Sequence, residues 1–207
     1  MGSYYHDQYD DGNRDVIEML TGEEANLLHA RQLARANRWW DALIGTMQGL
    51  QVFYDHTGRR AEWMVLVDEI VPDFVDLATD GPVLGREDQW GLVTQYRVQL
   101  AREARQWVEA ERLQRPCVEW WRKNAVVALA LPPDQLEGPP RNVIRTLAMS
   151  LGTMGQIQSE QGMPDCVASV EEAAQLLHRI GDRPAGAIAA LNLGNAYKNI
   201  PSNRSVG

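Results

Sequence analysis

The sequence predicts an all-α fold of about eight helices joined mostly by short turns. Three observations carry that expectation. Apolar residues recur at steps of three and four from Leu27 to Tyr197, which gives each segment one apolar helical stripe. No segment alternates apolar and polar residues over the length of a strand. Nine of the ten prolines fall at expected helix ends or in loops, Pro116 being the exception.

The elements follow in chain order. Residues 1–13 are rich in Tyr, Asp and Gly without periodicity, and residues 15–20 read as a short helical turn. Residues 1–21 are therefore expected to form an acidic, mostly irregular head, with residues 22–207 forming the helical domain. Thr21-Gly22-Glu23-Glu24 has the spacing of a capping box, in which the Thr21 hydroxyl accepts from an early amide and Glu24 reaches back. Leu27, Ala30 and Ala34 share the first face. Trp40, Leu43, Ile44, Met47, Leu50 and Tyr54 share the next, closed by Gly58 in the manner of a left-handed C-terminal glycine. Trp63, Leu66, Val67, Ile70 and Phe74 mark a third helix, with Pro72 near its end. Asp80-Gly81-Pro82 and Gly85 then place a loop over residues 76–87.

The second half repeats the scheme. Trp90, Val93, Tyr96, Leu100 and Ala104 lie on one helix, and Trp107, Ala110, Leu113, Cys117 and Trp121 on another, which Pro116 should kink or end early. A Pro-rich loop follows at 131–141. Val143, Leu147, Leu151, Met154 and Gln158 make a helix stopped at Gly162-Met163-Pro164. Cys166, Val170, Ala173 and Leu177 make the next, stopped at Gly181-Asp182, and a last helix carries Ala187, Leu191, Gly194 and Tyr197.

Composition excludes several classes of function. The 207 residues carry a net charge of −8, so no basic excess is present to neutralise the phosphates of a nucleic acid. The acidity is concentrated at the start, where Asp7, Asp10, Asp11, Asp15, Glu18, Glu23 and Glu24 face Arg14 alone. No apolar run approaches the ~18 residues of a membrane span, and no basic start with an apolar stretch marks a secretory signal. Neither a nucleic-acid nor a membrane partner is expected. Cys117 and Cys166 are too few for a disulfide framework and are expected as reduced core residues of a cytoplasmic protein.

No constellation carries chemistry. His6, His29, His56 and His178 are scattered without zinc-ligand spacing, and no phosphate-binding glycine loop occurs. Asp7, Asp11, Gly12 and Glu18 echo a calcium loop, but Tyr9 occupies its third position. Asp68 and Glu69 point apart on a helix, and Pro72 interrupts the register between Glu69 and Asp73. No catalytic residue, metal site or cofactor is expected. In each of the pairs Trp39-Trp40 and Trp120-Trp121, one ring is expected in the core and its neighbour half exposed, where it would serve as a protein-binding anchor.

Asn192-Leu193-Gly194-Asn195-Ala196-Tyr197-Lys198 resembles the first helix of a tetratricopeptide repeat, in which a small residue and a bulky one let neighbouring helices nest. Gly155 falls at the small-residue position one repeat earlier, 39 residues upstream against the family's ~34. Glu171-Glu172-Ala173 resembles the close of a second helix, and Trp107 with Ala110 its start; Tyr54, Gly58 and Trp63 resemble an earlier unit. Gly181-Asp182-Arg183 before an Ala-rich helix is similar to arrays in large bacterial signalling proteins.

The resemblance implies a right-handed helical-repeat solenoid that works as a non-enzymatic protein-interaction module or scaffold. Its first helices would line a groove for a protein or peptide. Matching the pattern position by position assigns Gln95, Gln99, Arg102, Gln156, Ser159, Asn195 and Lys198 to that groove. Asn195 falls where some members hold a peptide carboxylate. The last helix precedes any partner helix, so Leu191, Leu193 and Tyr197 form an expected assembly face. Two alternatives follow from it: a homo-oligomer or filament building block, or a fragment of a larger bacterial signalling or defence protein whose effector module is absent.

Overall fold

The computed structural model describes residues 2–199, and their regular structure is helical. The helices are α1 (Gly2–Asp10), α2 (Val16–Ala36), α3 (Trp40–Thr57), α4 (Arg60–Phe74), α5 (Glu87–Glu103), α6 (Trp107–Ala130), α7 (Pro139–Glu160), α8 (Asp165–Arg179) and α9 (Arg183–Asn199). A single 3₁₀ turn, Pro133–Gln135, sits in the loop before α7.

One turn geometry recurs six times among the described residues. Gly12, Arg38, Gly58, Arg105, Gly162 and Gly181 all adopt positive φ just past a helix end. In each case the next amide bonds back five residues: Asn13 to Gln8, Trp39 to Ala34, Arg59 to Tyr54, Gln106 to Ala101, Met163 to Gln158 and Asp182 to Leu177, at 2.8–3.0 Å. This Schellman arrangement satisfies carbonyls that a helix end leaves orphaned. The following helix starts two to four residues on, which makes tight helix hairpins. Glycine pays no steric cost for that φ, whereas arginine does.

The helices group into two compact units. The first holds the chain up to Val75 together with Pro82–Val93. Leu43, Met47, Leu50, Trp63, Ile70, Phe74 and Trp90 are all fully buried in it. Each such side chain contributes about 1.5–3 kcal/mol on leaving water. Within it, two arginines one helical turn apart tie α2 to α4: Arg31 pairs with Glu69 at 2.8 Å and Arg35 with Asp73 at 2.5 Å.

The second unit holds Asp76–Gly81 and the described residues from Thr94 onward. Here α7 packs on α6 and α8, and α9 packs on α8 and α7. Ile144, Leu147, Leu151, Ala173, Leu177 and Ala189 form the shared core. Val98, Ala101, Ala110, Leu113 and Ile157 join α5, α6 and α7 in a second cluster.

Five expectations need correction. The head is not mostly irregular, because α1 is helical and packs on α3. Tyr5 is buried there and Ser3 donates to Gln48 at 2.7 Å, so docking orders a segment whose own pattern is weak. The boundary at 21/22 falls inside α2, and Thr21 caps nothing: its hydroxyl donates to the Ile17 carbonyl at 2.8 Å. Glu24 instead takes two bonds from Arg59 and one from the Tyr54 hydroxyl. Pro116 lies within an α6 that continues to Ala130, held by the burial of Cys117 and Val118 beside it. The loop after α6 also ends sooner than 141, since Pro139 and Pro140 open α7, where their missing amides cost nothing.

Candidate functional site

A cleft of about 280 Å³ opens in the second unit. Three helices supply its walls: α5 gives Arg102, α7 gives Gln156 and Ser159, and α9 gives Asn192, Asn195 and Lys198. Gln156 and Ser159 lie three apart on α7, and Asn195 and Lys198 repeat that spacing 39 residues later. Residues three apart share a helix face, so each pair presents two polar groups along one stripe. Gly155 and Val170 form part of the lining beneath them. A Cβ on Gly155 would come within 2.4 Å of Val170 Cγ2 and 3.2 Å of the Cys166 carbonyl, so α7 and α8 meet there without room for a side chain.

The site has a defined electrostatic character. Arg102 donates through Nη2 to Gln156 Oε1 at 2.9 Å, which fixes its guanidinium against the α7 wall. Lys198 is exposed on α9. Glu160 is the one carboxylate among the lining residues. Two cations and several side-chain amides against one acid suit an anionic or carboxylate-bearing ligand.

The structure brings together five of the seven expected groove residues: Arg102, Gln156, Ser159, Asn195 and Lys198. It does not bring Gln95 or Gln99 to the cleft. Gln95 is exposed elsewhere on α5, and Gln99 donates along that helix to Glu103 at 3.0 Å. Sequence reasoning missed Asn192, although one turn back from Asn195 on the same stripe was enough to find it.

Of the expected assembly face, Leu191 and Tyr197 are exposed, at 66% and 57%. Leu193 is half-buried, and Ile188, outside the expected set, is exposed at 61%. Ala189 and Ala196 occupy the buried side of α9. The Tyr197 hydroxyl donates to Glu171 at 2.8 Å.

Elsewhere the reactive groups are engaged in structure. Glu69 and Asp73 do share a face, because α4 continues past Pro72, but each is neutralised by an α2 arginine. Cys117 and Cys166 are free thiols in the core. Burial pushes the Cys117 thiol up to about 12 and raises that of Cys166 as well. Among the described residues, no group of three or more His, Cys, Asp and Glu could hold a metal ion. No helix among them is long and apolar enough to cross a membrane.

The tryptophan pairs divide. Trp39 is exposed while Trp40 is half-buried, edge-on to Phe74 at 5.3 Å and under the Arg86 guanidinium at 4.2 Å. Trp120 and Trp121 are both half-buried, so the expected split between core and surface is absent there.

No protein-family model, no curated protein and no solved structure matches this chain.

Proposed function

We propose that this chain is a non-enzymatic, tetratricopeptide-like repeat module that holds an extended, acidic or carboxylate-ended protein segment in the cleft of its second unit. The observation that carries this reading is the convergence of Arg102, Gln156, Ser159, Asn195 and Lys198 from α5, α7 and α9 on one cleft. Those helices alternate with α6 and α8, so the polar lining comes from every other helix. A stack of helix pairs would present its first helices in this way, which supports the reading. The side-chain-free contact of Gly155 with α8 supports the same reading, as does the order in which α6, α7, α8 and α9 pack.

The test is a titration of the full chain against dye-labelled peptides carrying two terminal aspartates. Binding should weaken at least ten-fold in Arg102→Glu/Lys198→Glu and should weaken as salt rises. Affinity unchanged by charge reversal would remove the cleft from the reading.

A second reading, self-association, is favoured by the exposed apolar residues Ile188, Leu191 and Tyr197 of α9. Light scattering over a concentration series tests it: rising mass supports assembly, and a constant monomer mass contradicts it.

A further inference from the structure

A second, smaller cavity of about 80 Å³ adjoins the cationic cleft. The two share Gln156, Val170 and Asn192, so they form one continuous trough along α7 and α9. Their chemistry differs. The annex is floored by the buried Ala148, Ala173, Leu177 and Ala189, and the exposed Met149 and Ile188 stand at its rim. No ionisable side chain lines it.

The annex exists because α7 carries Gly152 where most helices carry a side chain. A Cβ there would meet nothing within 4 Å, so the space above the backbone is open. Glycine inside a helix is disfavoured relative to alanine, and at Gly152 no close contact requires it. Gly155, three residues on, is different: Val170 excludes a side chain there.

Resting on the peptide-binding reading, we infer that the annex is a specificity pocket, and that the trough selects acidic segments carrying one branched aliphatic side chain beside the acid. Two features define this occupant. Arg102 and Lys198 at one end call for negative charge, and the apolar floor at the other calls for a side chain without polar atoms. Size sets the rest. A cavity of roughly 150 Å³ takes benzene, so one of about 80 Å³ fits an aliphatic group better than an aromatic ring. Shared residues on one helix face place the two subsites about one to two helical turns apart, a span of two to four residues in an extended ligand.

The experiment uses the full chain and paired ten-residue peptides. Each peptide has two terminal aspartates and a leucine two, three or four residues away, and each has a twin with serine replacing the leucine. At one spacing the leucine peptide should bind about ten-fold tighter than its twin. Gly152→Leu fills the annex from the protein side and should abolish that preference while still binding the serine twin. Ile188→Ser alters the exposed rim and should reduce the preference, which covers the case in which Gly152→Leu does not fold. Equal binding of the twins at every spacing, or a preference that survives both substitutions, would overturn the inference and leave the charged cleft standing. No binding of any peptide would overturn the peptide-binding reading and this inference together.

Discussion

The α carbon of Gly155 stands so close to Val170 that a Cβ on it would lie 2.4 Å from Val170 Cγ2. Alanine at 155 would therefore push α7 off α8. Gly155→Ala should lower stability by about 1–3 kcal/mol, against a helix-propensity gain of about 1 kcal/mol. Gly152→Ala, in the same helix with open space above it, should instead gain about 0.5–1 kcal/mol. Urea unfolding of both variants checks this: equal shifts would show that the contact is not tight.

Two of the six Schellman turns force arginine into a left-handed backbone, at φ 58° for Arg38 and 56° for Arg105. Such a residue stores about 1–2 kcal/mol of strain. Arg38→Gly and Arg105→Gly should each raise stability by about 0.5–1 kcal/mol, the remainder being lost to the freer unfolded chain. Gly58→Ala, the converse change at the same turn position, should destabilise. Thermal unfolding midpoints measure all three, and a fall in both arginine variants would contradict the account.

These turns show what was legible in the sequence. Gly58, Gly162 and Gly181 announce their turns because glycine is the residue that tolerates positive φ cheaply. Arg38 and Arg105 carry no such mark; their turns are imposed by the burial of Leu43 and Ala110 in the helices that follow. The helices α3 to α9 were readable from periodicity because each buries one stripe. The short α1 was not, since its order depends on Tyr5 and Ser3 meeting α3. In the cleft, polar residues at helical spacing were visible. The open space at Gly152 was not, because a missing side chain has no pattern and only the packing of α9 on α7 encloses it.

Stability should fall on both sides of neutrality. Hydrogen bonds from Arg59, Arg112 and Arg145 hold the carboxyls of Glu24, Glu109 and Asp182 below their ordinary values of 4.5, 4.5 and 3.8. A depressed folded pKa gives stability that is present above the unfolded value and is lost as pH drops through the folded one. The acid limb should therefore begin near pH 4–5 and be shallower in Glu24→Gln. At high pH the Tyr54 phenol, pushed up to about 12 by burial and by its bond to Glu24, stays protonated while the unfolded chain ionises from about 10. That stability is present below pH 10 and lost toward 12, less so in Tyr54→Phe. Urea midpoints across pH test both limbs, and wild-type slopes retained in both variants would contradict the assignment.

Both thiols should be silent in the native state. Cys117 and Cys166 are 4% and 0% exposed, and burial raises both pKa values. A thiol-reactive chromophore at pH 8 should label neither until denaturant is added, and then both. Fast native labelling of Cys117 would contradict its placement in the core.

The measurement closest to the central claim is a map of backbone amide shifts as an acidic peptide is added to the full chain. The account predicts shifts at Arg102, Gln156, Ser159, Asn195 and Lys198 together, with the turn at Arg38 unmoved. Saturable shifts on other helices, with those five residues unchanged, would contradict it.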